Sequence, residues 1–195
     1  MSVRLSADKR RSQLMAVALE AFGTNGYHDT SMNQVAEAAG ITKPVVYQHF
    51  ESKHALYLAL LVDIGERLRN AISEALAKAD SPRELVEAGL SAFFEFFGKE
   101  PHSFSVMFGD GVRSDSDFVN ELEKVEESIV ENIVAVLNIP EVDDDNLRVL
   151  AHGVVGLTEG IGRHWLERGF HLAPGDLAQQ AAEMAYYGLR GANRN

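Results

Sequence analysis

The sequence predicts an all-α protein of two domains and about nine helices: a small N-terminal domain over residues 1–54 and a larger helical domain over 55–195. Three observations carry this. Apolar residues recur at helical spacing in almost every segment, as in Leu56, Leu60, Ile64, Leu68 and Ile72. No segment alternates apolar and polar residues as a strand would. Between the apolar runs stand Gly, Pro and capping residues, which are helix stops and starts.

In chain order, Ser6-Ala7-Asp8 reads as a helix entry, and Leu14, Val17, Ala18, Ala21 and Phe22 form its inner face. Gly23, Asn25 and Gly26 are expected to end it. Thr30 or Ser31 then caps a short helix, with Ser31-x-x-Gln34 at capping-box spacing. Val35, Ala36 and Ala39 give that helix its apolar face, and Gly40, free to take positive φ, stops it. Ile41 plugs the turn. Thr42 is expected to cap the next helix, with Pro44 in its first turn, where a missing N–H is harmless. Val46 and Phe50, four apart, face inward together, which leaves Lys43, Val45, Tyr47, Gln48 and His49 outside. Two short helices over a Gly-containing turn form a helix-turn-helix, whose second helix enters the DNA major groove.

Ser52 caps a long helix that runs to about Lys78, roughly 40 Å at 1.5 Å per residue. A tilt of its far end must move Lys53. After Ala79-Asp80-Ser81, Pro82 opens a helix to Gly98, and Pro101 opens a short one to about Phe108. Gly109 to Asp117 reads as loop. Phe118 to Leu137 is amphipathic, with Leu122, Val125, Ile129, Ile133 and Val136 on one face. Pro140 and the run Asp143-Asp144-Asp145 interrupt it. Leu147 to Gly169 and Pro174 to Arg190 are the last two helices.

The run Ala39-Gly40-Ile41-Thr42, followed by Val46-Tyr47-Gln48-His49-Phe50 and Ser52-Lys53, resembles the DNA-binding domain of the TetR-type transcriptional regulators. The Tyr-x-His-Phe-x-Ser-Lys ending is specific to that family, whereas a bare helix-turn-helix pattern is not. The close resemblance covers the first quarter to third of the chain; beyond it only length and helical architecture agree. Two positions depart from the family pattern: His54, where Glu is frequent, and Asn33, where a basic residue is common. The resemblance implies a cytoplasmic, ligand-responsive regulator, a repressor by preference. It would bind a palindromic double-stranded operator as a homodimer, paired through its last two helices. Two recognition helices would then lie ~34–36 Å apart.

The expected DNA-binding residues are Thr30, Ser31, Thr42, Lys43, Pro44, Val45, Tyr47, Gln48, His49 and Lys53. Of these, Thr42, Lys43 and Val45 sit at the N-terminal end of the recognition helix and are the base-edge candidates. Tyr47, His49 and Lys53 suit the sugar–phosphate backbone, Lys53 because the N–H groups of a helix N-terminus also point at phosphate. Lys9, Arg10 and Arg11 near the first helix's start form an ordinary solvated charge run unless a phosphate lies close.

The net charge of −11 is unevenly spread. Residues 1–56 hold six Lys/Arg against five Asp/Glu, a net of +1, which leaves −12 for the rest. Local charge governs phosphate attraction within a Debye length of ~8–10 Å, and an acidic body suppresses non-specific DNA binding. With no cysteine, disulfides and thiolate metal sites are excluded. No apolar run approaches the ~20 residues of a membrane span, and the N-terminus lacks the apolar core of a signal peptide.

Phe93, Phe94, Phe96, Phe97, Phe104, Met107 and Phe108 crowd one short stretch. Such a stripe is either plain core or the wall of a pocket for an apolar effector. The pocket residues named on the second reading are Phe93, Phe97, Phe104, Met107 and Phe108, with Trp165 opposite. Gly153, Gly156, Gly160 and Gly162 fall within one helix, at a cost of ~1 kcal/mol each against Ala, which points to close helix approach or to distortion around a ligand. Val154, Val155, Ile161, Leu177, Ala181 and Met184 supply either a dimer seam or the subunit's own core. The spacing of His152, Glu159 and His164 keeps them off one face, so no catalytic or metal site is assigned to them. No enzyme motif (HExxH, P-loop, GxGxxG, Cys nucleophile) and no cofactor signature occurs. The competing reading is a helical small-molecule-binding protein or hydrolase without DNA binding.

Overall fold

In the computed structural model, which describes residues 6–136 and 142–192, nine α-helices and no strand occur among the described residues. They are α1 (Ala7–Asp29), α2 (Met32–Ala38), α3 (Lys43–Tyr47), α4 (Lys53–Leu76), α5 (Pro82–Lys99), α6 (Pro101–Phe108), α7 (Ser116–Val136), α8 (Asp144–Glu167) and α9 (Pro174–Ala192). A short 3-10 turn, Val112–Ser114, lies in the expected loop. The predicted helix end at Leu137 and the break at Pro140 fall outside the described residues.

The starts and stops have local causes. Ser6, Ser81 and Asp143 each accept a backbone N–H three residues on, from Lys9, Glu84 and Asn146. Ser52 Oγ accepts from Ala55 N at 2.9 Å, as expected of the α4 cap. Gly40 ends α2 at φ 65° and Gly26 kinks α1 at φ 80°, where a side chain would be strained. Gly23, expected as a breaker, is instead a point of close approach: a Cβ there would lie 2.5 Å from the Cβ and 2.8 Å from the Cα of His102 in α6.

The chain forms two compact units, and their limits differ from the expected 1–54 and 55–195. The first comprises residues up to Ile64 together with His102–Glu121; the second comprises Gly65–Pro101 and the residues from Leu122 onward. The physical reason lies in the first half of α4. Leu56, Tyr57, Leu60, Leu61 and Ile64 are all buried. The Tyr57 ring meets Phe22 of α1 edge-on at 5.0 Å and Phe118 of α7 at 4.7 Å. Its hydroxyl donates to Val106 O of α6 at 2.7 Å. Burial pushes the Tyr57 phenol well above its ordinary pKa, with Tyr27 adding to the shift. The first unit is thus a helix-turn-helix domain closed by α6 and the start of α7.

In the second unit α9 packs chiefly on α5, and less on α8. Leu90, Phe94, Phe97, Trp165, Ala178 and Ala181 are in its core. α4 is one continuous helix with residues in both units.

Candidate DNA-binding interface

α2 and α3 are built from the inside out. Met32, Val35, Ala36 and Ala39 bury the inner face of α2, and Val46 (0% exposed) and Phe50 (3%) anchor α3 and its C-terminal turn. Ser31 and Gln34 complete a capping box: Ser31 Oγ accepts from Gln34 N at 3.3 Å, and Ser31 N donates to Gln34 Oε1 at 2.7 Å. Gln13 Nε2 of α1 donates to Ala39 O at 3.3 Å, pinning the turn from below. With that support fixed, Thr42, Lys43, Pro44, Tyr47 and Gln48 are exposed, while Val45 and His49 are partly so. Lys43 Nζ stands 5.8 Å from the centre of the Tyr47 ring, one turn on, so cation and aromatic share a face. The outward face read from the spacing of Val46 and Phe50 is therefore present.

Three of the expected residues have surroundings that the sequence did not show. Thr30 is 1% exposed. Its Oγ1 lies 3.1 Å from Ala21 O and 2.8 Å from Gly26 O, so the hydroxyl donates to the carbonyls left over at the kink in α1. Its side chain is buried and its hydroxyl is engaged within the domain. Thr42 occupies the cap position of α3, but its side chain makes no capping hydrogen bond. Lys53 is more engaged than expected: Nζ donates to Tyr27 O at 2.8 Å and His28 O at 3.2 Å, and sits 4.5 Å over the Tyr27 ring. The ammonium caps the C-terminal end of α1, where carbonyl oxygens and the helix dipole both favour a cation. With three donors on the ammonium, one remains for a phosphate.

The first basic run is also partly spent within the domain. Arg10 donates to Gln13 at 2.6 Å, and Arg11 donates to His49 O at 3.3 Å while lying 4.2 Å over the Phe50 ring. Arg11 thus braces the end of the recognition element, a role that sequence spacing could not reveal because the partners are 38 positions apart.

The six aromatic and Met positions expected to line a pocket are all buried, from 0% exposed at Phe97 and Phe104 to 7% at Phe93. They fall into both units. Phe104 meets Phe108 at a tilt, with centroids 4.8 Å apart, in the first. In the second, Phe93 meets Phe97 at 4.9 Å, and Trp165 meets Phe94 at 6.0 Å and Phe170 at 4.7 Å. The Trp165 indole N–H donates to Leu172 O at 3.0 Å. These are core contacts. An open groove of about 780 Å³ lies elsewhere in the second unit, along the end of α4 and α5. It has alanines on its floor (Ala71, Ala75, Ala88, Ala92) and none of those six residues in its walls.

On α8, two of the three residues that spacing keeps off one face have partners of their own. Glu159 pairs with Arg163 at 2.5 Å, and His152 faces Glu127 at 3.8 Å. Gly153, Gly156 and Gly160 approach nothing among the described residues: a Cβ on any of them would meet no described atom outside its own helix turn within 4 Å. Leu177 and Ala181 belong to the subunit's own core, whereas Met184 is 61% exposed. No described helix is long and apolar enough to cross a membrane.

A recognition helix held out on a buried two-point anchor, with a Lys–Tyr pair on its open face, defines a helix-turn-helix DNA-binding protein. Comparison with known proteins makes the family definite. Residues 14–60 match the profile of the bacterial regulatory proteins of the tetR family, and residues 82–187 match the tetracyclin repressor-like C-terminal domain. The chain belongs to the TetR family, and it is a DNA-binding transcriptional regulator rather than an enzyme. It is similar to the transcriptional activator FasR of Mycolicibacterium smegmatis, with 28% identity over 95% of this chain and 85% of that protein. The crystal structure of a TetR-like regulator from Rhodococcus sp. RHA1 superposes with a TM-score of 0.81 at 26% identity, covering 96% of this chain and all of the other. FadR of Bacillus subtilis, solved in complex with stearoyl-CoA, shares the fold at 15% identity (TM-score 0.79, 89% and 96% covered).

Proposed function

We propose that the protein binds a palindromic operator as a homodimer and that an apolar small molecule lowers its affinity for that operator, so that the bound state represses. The observation that carries the DNA half is the solvent-facing row Thr42, Lys43, Tyr47 and Gln48 over buried Val46 and Phe50. Lys43 would read guanine O6 or N7, and Val45 would meet a thymine methyl. Tyr47, His49 and the remaining Lys53 donor would hold the backbone.

Support for the dimer comes from α8 and α9. Val149 (68% exposed), Gly153, Gly156 and Gly160 recur along one face of α8, and Met184 (61%), Tyr187 (66%) and Gly188 stand together on α9. Large apolar side chains interspersed with small residues on an open face suit a facing pair of helices. Support for an apolar effector is the aromatic crowding of the second unit around Phe93, Phe97 and Trp165, which would part to admit a chain-like molecule. α4, which belongs to both units, is the covalent path for the signal. Coupling of this kind is usually ~1–3 kcal/mol, or roughly 5–150-fold in affinity.

The test is selection of fragmented genomic DNA by the purified full-length protein, with affinities read against salt. The expected result is enrichment of a palindrome whose binding weakens steeply with salt. Failure to enrich any sequence would overturn the proposal. Stearoyl-CoA is the first effector probe. A reporter behind the enriched site separates repression from activation, the role in the name of the FasR relative.

A further inference from the structure

A cluster of donor atoms in the first unit has no part in the DNA-facing surface described above. His54, in the first turn of α4, directs Nε2 at Asp115 Oδ1, 3.3 Å away, and at Asp117 Oδ2, 3.4 Å away. One donor atom from each of the three residues lies within 4.8 Å of the others. It is the sole such His/Asp/Glu group among the described residues.

Both the direction and the spacing are informative. The imidazole is stacked on the buried Phe118 ring, with centroids 4.7 Å apart and planes 23° from parallel, so Nε2 has a fixed heading. Asp115 Oδ1 accepts Asp117 N at 2.8 Å, which orients that carboxylate. A single Nε2 carries one proton or one lone pair, yet it faces two oxygens almost equally. Neither distance is that of a charge-assisted N–H···O⁻ bond, ~2.7–2.9 Å. Both match the separation of neighbouring ligands around a tetrahedral ion: bonds of ~2.0–2.1 Å give an edge of about 3.3–3.4 Å.

We propose that His54, Asp115 and Asp117 are three ligands of a Zn²⁺-class divalent-ion site, with water completing the shell. A neutral imidazole and two carboxylates balance the charge of such an ion. The mixed nitrogen and oxygen set favours Zn²⁺ or its first-row neighbours over Mg²⁺ and Ca²⁺, which prefer oxygen alone and more of it. His54 is 34% exposed and Asp117 61%, so an ion has a way in. The ion would tie the first turn of α4, beside Lys53, to the start of α7.

The test uses tag-free full-length protein stripped with chelator. ZnSO₄ is titrated calorimetrically, Co²⁺ is followed by visible absorption, and melting is recorded with and without zinc. Wild type is expected to bind one ion per chain and to melt higher with zinc. H54A and D117N are expected to bind at least tenfold more weakly, with little or no zinc-dependent rise in melting temperature. Should H54A fail to fold, D117N, altered at an exposed side chain, carries the comparison. Absence of binding by wild type overturns the proposal, as does equal binding by wild type and D117N. The cluster would then be a plain His–carboxylate ion pair.

Discussion

Lys53→Met removes the ammonium and keeps most of the stem, and it separates two roles that the geometry assigns to one side chain. The first role is within the fold: two carbonyl oxygens, at 2.8 and 3.2 Å, lose their shared donor at the end of α1, and the Tyr27 ring loses its cation. A charged hydrogen bond is worth ~1.5–3 kcal/mol when buried, and this site is only part-buried. Discounted for solvent screening, the loss should be about 1–2 kcal/mol. In urea it appears as a lower midpoint with an unchanged slope. The second role is on DNA. Loss of one phosphate contact flattens the plot of log affinity against log salt by ~0.9 per chain, and it weakens specific and non-specific duplexes alike. The two readouts can fail separately. An unchanged urea midpoint would refute the capping role, and an unchanged salt slope would refute the phosphate contact. A loss of stability with a full salt slope would mean that the family-specific lysine serves the fold alone.

Lys43→Ala should cost about 1–3 kcal/mol on the selected operator and little on random duplex, as expected of a base contact; equal losses on both would move Lys43 to the backbone. Gly23→Ala forces a Cβ onto the His102 backbone and should destabilise by about 1–3 kcal/mol as an overpacking change, read as a lower melting temperature; a neutral result would show that α1 and α6 separate easily. Glu126 has its carboxyl pushed above the ordinary range, first by burial and then by Glu159 and Glu123. Its ionised form is disfavoured in the fold, so Glu126→Gln should stabilise the protein at neutral pH. That gain should fade as pH falls through the raised pKa toward the ordinary carboxylate value, and denaturation at pH 4 and pH 8 checks the sign. Met184→Glu combined with Tyr187→Glu should turn a dimer into a monomer in sedimentation velocity without loss of helicity; an intact dimer would place the interface elsewhere.

What the sequence revealed and what it hid divide along the range of the interaction. The capping box at Ser31 and Gln34, the stop at Gly40 and the inward pair Val46–Phe50 involve partners three or four residues apart. Their chemistry is complete within one helical turn, and the helix-turn-helix was legible for that reason. Thr30 and Lys53 looked alike in sequence, polar residues beside the DNA-facing element. Their partners, the carbonyls of Ala21, Gly26, Tyr27 and His28, become visible only once α1 kinks at Gly26. The unit boundary was hidden for the same reason. Nothing local in Tyr57 says that its hydroxyl will reach a carbonyl 49 positions away in α6 and so join α4, α6 and the start of α7 to the N-terminal helices.

The glycines carry that argument furthest, because one residue type serves opposite needs here. Gly26 and Gly40 are required by backbone conformation, and Gly23 by a neighbouring helix at van der Waals distance. Gly153, Gly156 and Gly160 answer to neither need: they lie inside α8 and face open space. Three glycines inside a helix cost roughly 3 kcal/mol against alanine, and nothing among the described residues packs on them to offset that cost. A second backbone laid along the same face would, since the missing side chains would let it approach and bury Val149 beside them. The feature that reads as a defect in the isolated chain is thus an argument for a partner on α8.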